Sequence, residues 1–288
     1  MQQICFLSMD DLSGYVFDDE LAVEPLEKLG WNVRTISWRD QDADWNDFAA
    51  VIIRTTWDYQ KYPAEFLRLL QKIDESRARL ENSLQTVRWN LSKAYLRDLE
   101  SRGVKIVPTV WGEKPPNAKD FDSWLEHFET GEIIIKPIVS ATAEDTFLMK
   151  AFQPDLAEIF QNRKYLVQPF MPQIVTEGEF SLFYFGGKYS HTILKTPKEQ
   201  DFRVQEEHGG IITAVTPSTK LLQEAERVFG LIAPVPLYAR IDFVRDDDDE
   251  FRLMELELIE PALYLRMDER APQFFAETID GWLRQGKR

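Results

Sequence analysis

Three carboxylates stand in two short segments that alternate apolar and polar residues. Asp242 lies in Ala239-Arg240-Ile241-Asp242-Phe243-Val244, and Glu255 and Glu257 lie in Leu253-Met254-Glu255-Leu256-Glu257-Leu258-Ile259. Residues two apart in a strand share a face, so Glu255 and Glu257 project together. The acidic run Asp246 to Glu250 reads as a solvated hairpin turn that lets the two strands pair and brings Asp242 to that face. Carboxylates placed this way repel one another unless a cation neutralises them. Hard oxygen donors suit Mg²⁺ or Mn²⁺, with nucleotide phosphates completing the shell. The same alternation also fits an ordinary solvent-facing sheet.

Cations stand elsewhere in the chain. Lys136 ends the apolar run Ile133-Ile134-Ile135 and precedes Pro137, so it can hold a fixed positive charge at a sheet edge for a nucleotide phosphate. Lys93 can supply a second charge from a helix spanning Trp89 to Arg102. Arg203 offers a planar fork for phosphate or carboxylate, in a polar stretch from Lys195 to Gly210 that reads as a mobile loop. Gly209-Gly210 in that stretch gives a hinge or a close backbone approach. Each feature taken singly also fits a surface lysine or a flexible loop.

The elements that must position these residues follow from periodicity. Ile4 to Ser8, Trp31 to Ile36 and Ala49 to Ile53 read as strands, and Glu20 to Leu29 and a segment after Pro63 read as helices. This order predicts a small parallel sheet with helices on its faces. Further strands are expected at Ile133 to Ile135, Tyr165 to Val167, and a hairpin around Gly186-Gly187. Helices are expected at Phe121 to Phe128, Leu156 to Phe160, Leu221 to Leu231 and Ala271 to Leu283.

Composition excludes several classes. The chain has 288 residues, 44% of them hydrophobic, enough for a sizeable core. Its net charge of −15 repels phosphate backbones and anionic lipid, which argues against nucleic-acid or membrane partners but not against a phosphate ligand in a locally basic cleft. The lone cysteine, Cys5, sits in an apolar run and reads as a buried strand thiol. His127, His191 and His208 are too scattered for a His-rich zinc site. With no basic, apolar leader and no long apolar run, the chain reads as soluble and cytoplasmic. Gly-x-Ser-x-Gly, the P-loop and the dinucleotide-binding fingerprint are all missing.

The order of the features is more specific than any one of them. A helix lysine, a strand Lys-Pro, Gln168-Pro169-Phe170, Gly178-Glu179, Arg203 and Gln205 before Gly209-Gly210, then Asp242 and Glu255-x-Glu257 together resemble the ATP-grasp superfamily. The resemblance is nearest to the glutathione synthetase-like branch. Arg54-Thr55-Thr56-Trp57-Asp58-Tyr59 and Glu255 through Pro261 resemble a subgroup that includes the cyclo-ligase of cycloserine biosynthesis. The resemblance implies α/β and α+β architecture: a Rossmann-like pre-ATP-grasp domain over 1–82, a linking helix and strand over 83–115, a lid subdomain over 116–185, and a C-terminal subdomain over 186–288 carrying the metal site.

The resemblance also assigns residues. Lys93 and Lys136 are implied to hold ATP phosphates, with Ser140 and Thr142 beside them. Gln168, Phe170 and Met171 belong to the hinge that reads adenine, and Glu179 is expected to meet the ribose. Arg203, Gln205, Gly209 and Gly210 are expected to face acylphosphate and substrate, with Arg54 as a further substrate residue at the end of the third strand. Asp242, Glu255 and Glu257 are implied metal ligands, and Arg240 offsets the added charge of Glu257, which stands where the family has a neutral Asn. The family's glycine-rich lid loop is replaced by Ile138 to Asp145.

The implied activity is an ATP-dependent, ADP-forming ligase. A carboxylate becomes an acylphosphate, and an amine-type nucleophile, on the same or another amino-acid or peptide-like molecule, displaces phosphate. An ATP-binding protein without ligase activity and a phosphotransferase on the same scaffold are the alternatives. Replacing Asp242 or Glu255 is expected to abolish turnover with the fold intact. Homo-oligomer formation is left open.

Overall fold

The computed structural model describes residues 2–140, 144–199 and 201–285. It builds three sheets in chain order. The first holds β1 (Gln2–Ser8), β2 (Trp31–Ser37), β3 (Ala50–Thr55) and β4 (Arg79–Glu81), all parallel, in the order β2-β1-β3-β4. Every residue of β3 is buried, as expected of a parallel strand covered on both faces. Helix α1 (Val23–Lys28) stops at Gly30, whose φ of 94° suits a residue without a side chain. Helix α2 (Pro63–Asp74) starts on a proline and buries Phe66, Leu70 and Ile73, one helical stripe, against Trp38 and Trp45. Cys5 lies in β1 with its thiol pushed up to about 12 by burial, an inert position.

Two short helices follow, α3 (Leu84–Asn90) and α4 (Tyr95–Ser101). The sequence predicts one continuous helix here. The chain instead breaks at Leu91 to Ala94, which frees the backbone N–H of Lys93 to donate to Ile138 O at 2.7 Å.

The second sheet is antiparallel, in the order β5-β8-β6-β7, with β5 (Val110–Gly112), β6 (Ile133–Pro137), β7 (Phe147–Met149) and β8 (Tyr165–Pro169). Helices α5 (Ala118–Phe128) and α6 (Asp155–Ile159) supply Phe121, Trp124 and Leu156 to its own core. A one-turn helix, α7 (Gln173–Thr176), leads to the third sheet. That sheet is also antiparallel, in the order β11-β10-β9-β12-β13, with β9 (Glu179–Phe185), β10 (Lys188–Thr196), β11 (Ile211–Ala214), β12 (Tyr238–Arg245) and β13 (Phe251–Glu257). Helices α8 (Thr219–Phe229) and α9 (Ala271–Arg284) pack on opposite faces of it.

These sheets move two expected boundaries. β9 is hydrogen-bonded between β10 and β12, so the break between the second and third sheets falls at 170–178 and not after Phe185. β5 pairs with β8, so the second sheet begins before residue 116.

Arg54 also departs from expectation. Its side chain is 1% exposed, donates to Asp19 Oδ1 and Pro261 O at 2.9 Å each, and lies under the Tyr238 ring. The residue ties the first sheet to the third and does not face the cleft described below.

His191 in β10 stacks on Phe183 with ring centroids 4.3 Å apart. Burial pushes its pKa from 6.5 down to about 4. Above pH 6.5 neither folded nor unfolded chain holds this proton. As pH falls from 6.5 toward 4 only the unfolded chain takes it up, so stability drops by about 1.4 kcal/mol per pH unit, about 3 kcal/mol in all. Denaturant unfolding between pH 7 and 5 should therefore be steeper in the wild type than in His191→Gln. Equal slopes would contradict it.

Candidate active site

The third sheet carries its charged residues on one face, by register. Glu179 stands opposite Lys195, Asp242 opposite Glu255, and Arg240 opposite Glu257. The other face buries Leu182, Ile241 and Leu256 against α4 and α8. The alternation that suggested a hairpin does bring the three carboxylates together on one side. Asn90, at the end of α3, fixes the outer strand: its side chain donates to Leu256 O at 2.8 Å and accepts from Leu258 N at 2.9 Å. The Tyr95 hydroxyl accepts from Leu256 N at 2.9 Å. Side chains thus occupy the edge of β13 beside Glu255 and Glu257.

Each carboxylate has a protein cation. Arg240 grips Asp242 with two donors, at 3.1 and 3.0 Å, and also donates to Glu257. Lys195 binds Glu179 and lies 3.6 Å from Asp242. Lys93 binds Glu255 at 2.5 Å and donates to Ser140 O at 3.1 Å. Burial pushes the Asp242 and Glu255 acids up, but Arg240 and Lys195 for the first, and Lys93 and Lys136 for the second, more than reverse it and leave both below the usual range. Burial prevails at Glu257, raised to about 7. Among the described residues, no group of three metal-ligating side chains stands ready to hold an ion. The three carboxylates are ion-paired with Lys93 and Arg240 instead.

Lys136 differs from the other cations. It is 8% exposed and makes no ion pair among the described residues. Burial, and then the neighbouring charge of Lys93, lower its pKa against the pull of Glu255. A buried ammonium without a bound carboxylate, opening on a cleft, is a ready partner for an anion.

The cleft runs between the second and third sheets and takes in Lys93, Lys136, Ser140, Gln168, Phe170, Met171, Glu179, Arg203, Gln205, Arg240, Asp242, Glu255 and Glu257. Part of its wall is an apolar slot formed by Val107, Ile174 and Val204 with Met171 and Met254. Gln168 is buried there and donates to Thr109 Oγ1 at 3.0 Å. Arg203 lines the cleft with its fork held by Asp201, at 3.1 and 2.9 Å. Gln205 Oε1 is buried without a hydrogen-bond partner among the described residues.

Other expected site residues fall elsewhere. Thr142 lies outside the described residues. Gly209 and Gly210 do not line the cleft. Gly209 has φ 85°, and a Cβ on Gly210 would stand 2.0 Å from Val204 O, so both shape the turn that carries Arg203 and Gln205. The segment from Lys195 is not an open loop either, since Lys195 ends in β10, 3% exposed, and Val204 is buried. The sequence reading missed Lys195, because only the strand pairing shows that it faces Asp242. It also missed Glu260, a buried carboxyl in the same cleft.

Comparison with known proteins agrees with this arrangement. Residues 4–82 match the family model of the N-terminal domain of D-cycloserine synthetase DcsG. The crystal structure of D-cycloserine synthetase DcsG aligns over 98% of this chain and 99% of its own, with a TM-score of 0.82 and 24% identity. The ATP-grasp ligase PsnB, solved with a minimal precursor, aligns over 100% of both chains with a TM-score of 0.67 and 16% identity. The chain has the ATP-grasp fold. By sequence, this ATP-grasp protein is 28% identical to the cycloserine biosynthesis protein DcsG of Streptomyces lavendulae, over 91% of this chain and 93% of that one. No helix among its described residues is long and apolar enough to cross a membrane.

Proposed function

We propose that this ATP-grasp protein is an ATP-dependent, ADP-forming ligase that activates a carboxylate as an acylphosphate and passes it to an amine-type nucleophile on an amino-acid or peptide-like small molecule. The observation that carries the reading is buried Lys136, free of an ion pair among the described residues, in one cleft with Lys93 and the carboxylate face. In this reading Lys93 and Lys136 hold the transferring phosphates, and Arg203 and Arg240 stabilise the charge on the transferred group. The apolar slot at Met171, Gln168 and Phe170 takes the base. Ser140 backs Lys93 through its carbonyl, Glu179 reaches the sugar, and Gln205, with its orphaned oxygen, faces substrate. Water must be kept out while the acylphosphate lasts.

Asp242, Glu255 and Glu257 are hard donors on one face. Glu255 and Glu257 are a quarter to a third exposed to the cleft, at 29% and 27%, so the set fits Mg²⁺ or Mn²⁺ arriving with a nucleotide. Such an ion neutralises phosphate charge. The phosphates in turn offer Lys93 and Arg240 new partners.

Incubation with ATP, Mg²⁺ and pools of amino acids and peptides tests the reading. ADP and phosphate released together with a new amide-type product support it. ADP with a stable phosphorylated product favours the phosphotransferase, and ATP binding without turnover favours a binding protein. Lys136→Met gives a separate check. Losing charge-assisted bonds worth about 1.5–3 kcal/mol should weaken ATP binding by about 10–100-fold. Removing a buried, unpaired cation should also raise the melting temperature of the nucleotide-free protein. Unchanged ATP affinity would contradict the role of Lys136.

A further inference from the structure

The cleft does not end at the carboxylates. It continues toward the first sheet, where Tyr15, Trp57 and Tyr59 line it beside Glu260. Trp57 and Tyr59 follow β3, and both are buried. The Tyr15 ring lies 5.2 Å from that of Trp57. The Trp57 indole N–H donates to Glu260 O at 2.8 Å, and Tyr59 neighbours the Glu260 carboxyl, whose charge adds to burial in raising the tyrosine's pKa. This wall therefore fixes the backbone of Glu260 and lines its side chain.

Glu260 is 8% exposed and has no ion pair among the described residues. Lys93, the cation that acts on it, is bound to Glu255. A buried carboxylate needs either a proton or a cation. Burial, and then the charge of Glu257, raise the Glu260 acid to about 8. A second carboxylate ligand at this end would meet Glu260, Glu257 and Glu255. An organic ammonium would meet a carboxyl with no cation of its own beside aromatic side chains, groups that attract such cations.

We infer that Glu260, walled by Trp57, Tyr59 and Tyr15, recognises the amine partner of the reaction as a primary ammonium. That the ammonium is the reaction's amine rests on the ligase reading; the binding of an ammonium does not. Glu260 is then a specificity-determining residue of the cleft.

The test uses the full chain with a non-hydrolysable ATP analogue and Mg²⁺. The probes are D- and L-alaninamide, which carry an ammonium, and their N-acetyl derivatives, which do not. Saturable binding of an alaninamide is expected by ligand-observed NMR, at least about tenfold tighter than its N-acetyl derivative. Glu260→Gln keeps the shape and should weaken that binding about tenfold or more, while leaving affinity for the ATP analogue unchanged. Tyr59→Phe should weaken it less. Equal binding of the N-acetyl probes, no effect of Glu260→Gln in a protein that melts like the wild type, or no saturable ammonium binding at all would overturn the inference. Ammonium binding in a protein that makes no amide with any acid and amine would sink the ligase reading alone. Amide formation indifferent to Glu260→Gln would sink this inference alone.

Discussion

Glu255→Gln is expected to lower ATP turnover by on the order of 100-fold or more while the protein melts near the wild-type temperature. The substitution removes the charge that the cleft presents to a nucleotide-bound ion and keeps the shape of β13. Glu255 is itself 29% exposed, and the glutamine oxygen and Ser140 O both remain as acceptors for the buried Lys93 ammonium. Asp242→Asn should lose turnover as strongly but also lose stability. Asp242 is 2% exposed and neutralises both Arg240 and Lys195. Breaking a buried ion pair from one side costs about 3–5 kcal/mol. The sequence alone predicts intact folds for both variants, and the structure separates them. Steady-state ADP release alongside thermal unfolding of the two variants checks this. Turnover within about threefold of wild type in both would remove the carboxylate face from the chemistry.

The second large effect is structural. Asn82 is fully buried where the first sheet meets the third. Its amide donates to Tyr238 O at 2.9 Å and Leu258 O at 2.7 Å, and its carbonyl accepts from Leu237 N at 2.7 Å. One side chain thus satisfies three backbone groups that flank β12 and β13, the strands bearing Asp242, Glu255 and Glu257. Asn82→Ala leaves all three buried and unpaired, at about 1–3 kcal/mol each. A loss of about 4 kcal/mol in urea unfolding is expected, large for one substitution. A loss under about 1 kcal/mol would show that water or a shifted backbone satisfies these groups.

The legible parts of this molecule are those with a period. Alternation in Ala239 to Val244 and Leu253 to Ile259 gave the hairpin, and its pairing sets Asp242 against Glu255 and Arg240 against Glu257. Gly186-Gly187 marked the turn that joins β9 to β10, with both residues at positive φ. What escaped the sequence depends on tertiary neighbours. Lys195 looks like the start of a polar loop until strand pairing turns it toward Glu179. Arg54 looks like a strand-end ligand for substrate until Asp19, more than thirty residues before it, takes its guanidinium. Lys93 looks helical because its neighbours have helical spacing, yet its N–H is given to Ile138 O. Glu260 gives no periodic signal at all, being one residue past β13's apolar continuation and held by Trp57, which follows β3 about two hundred residues earlier.

In the proposed reaction a substrate carboxylate takes the γ-phosphoryl group of ATP before an amine attacks. Amino-acid and peptide pools with carboxyl groups labelled in heavy oxygen test it most directly, with mass analysis of the phosphate released on turnover. One labelled oxygen is expected in each phosphate, because the bond broken in the second step lies between the acyl carbon and a former carboxylate oxygen. Turnover that releases phosphate without label would contradict it.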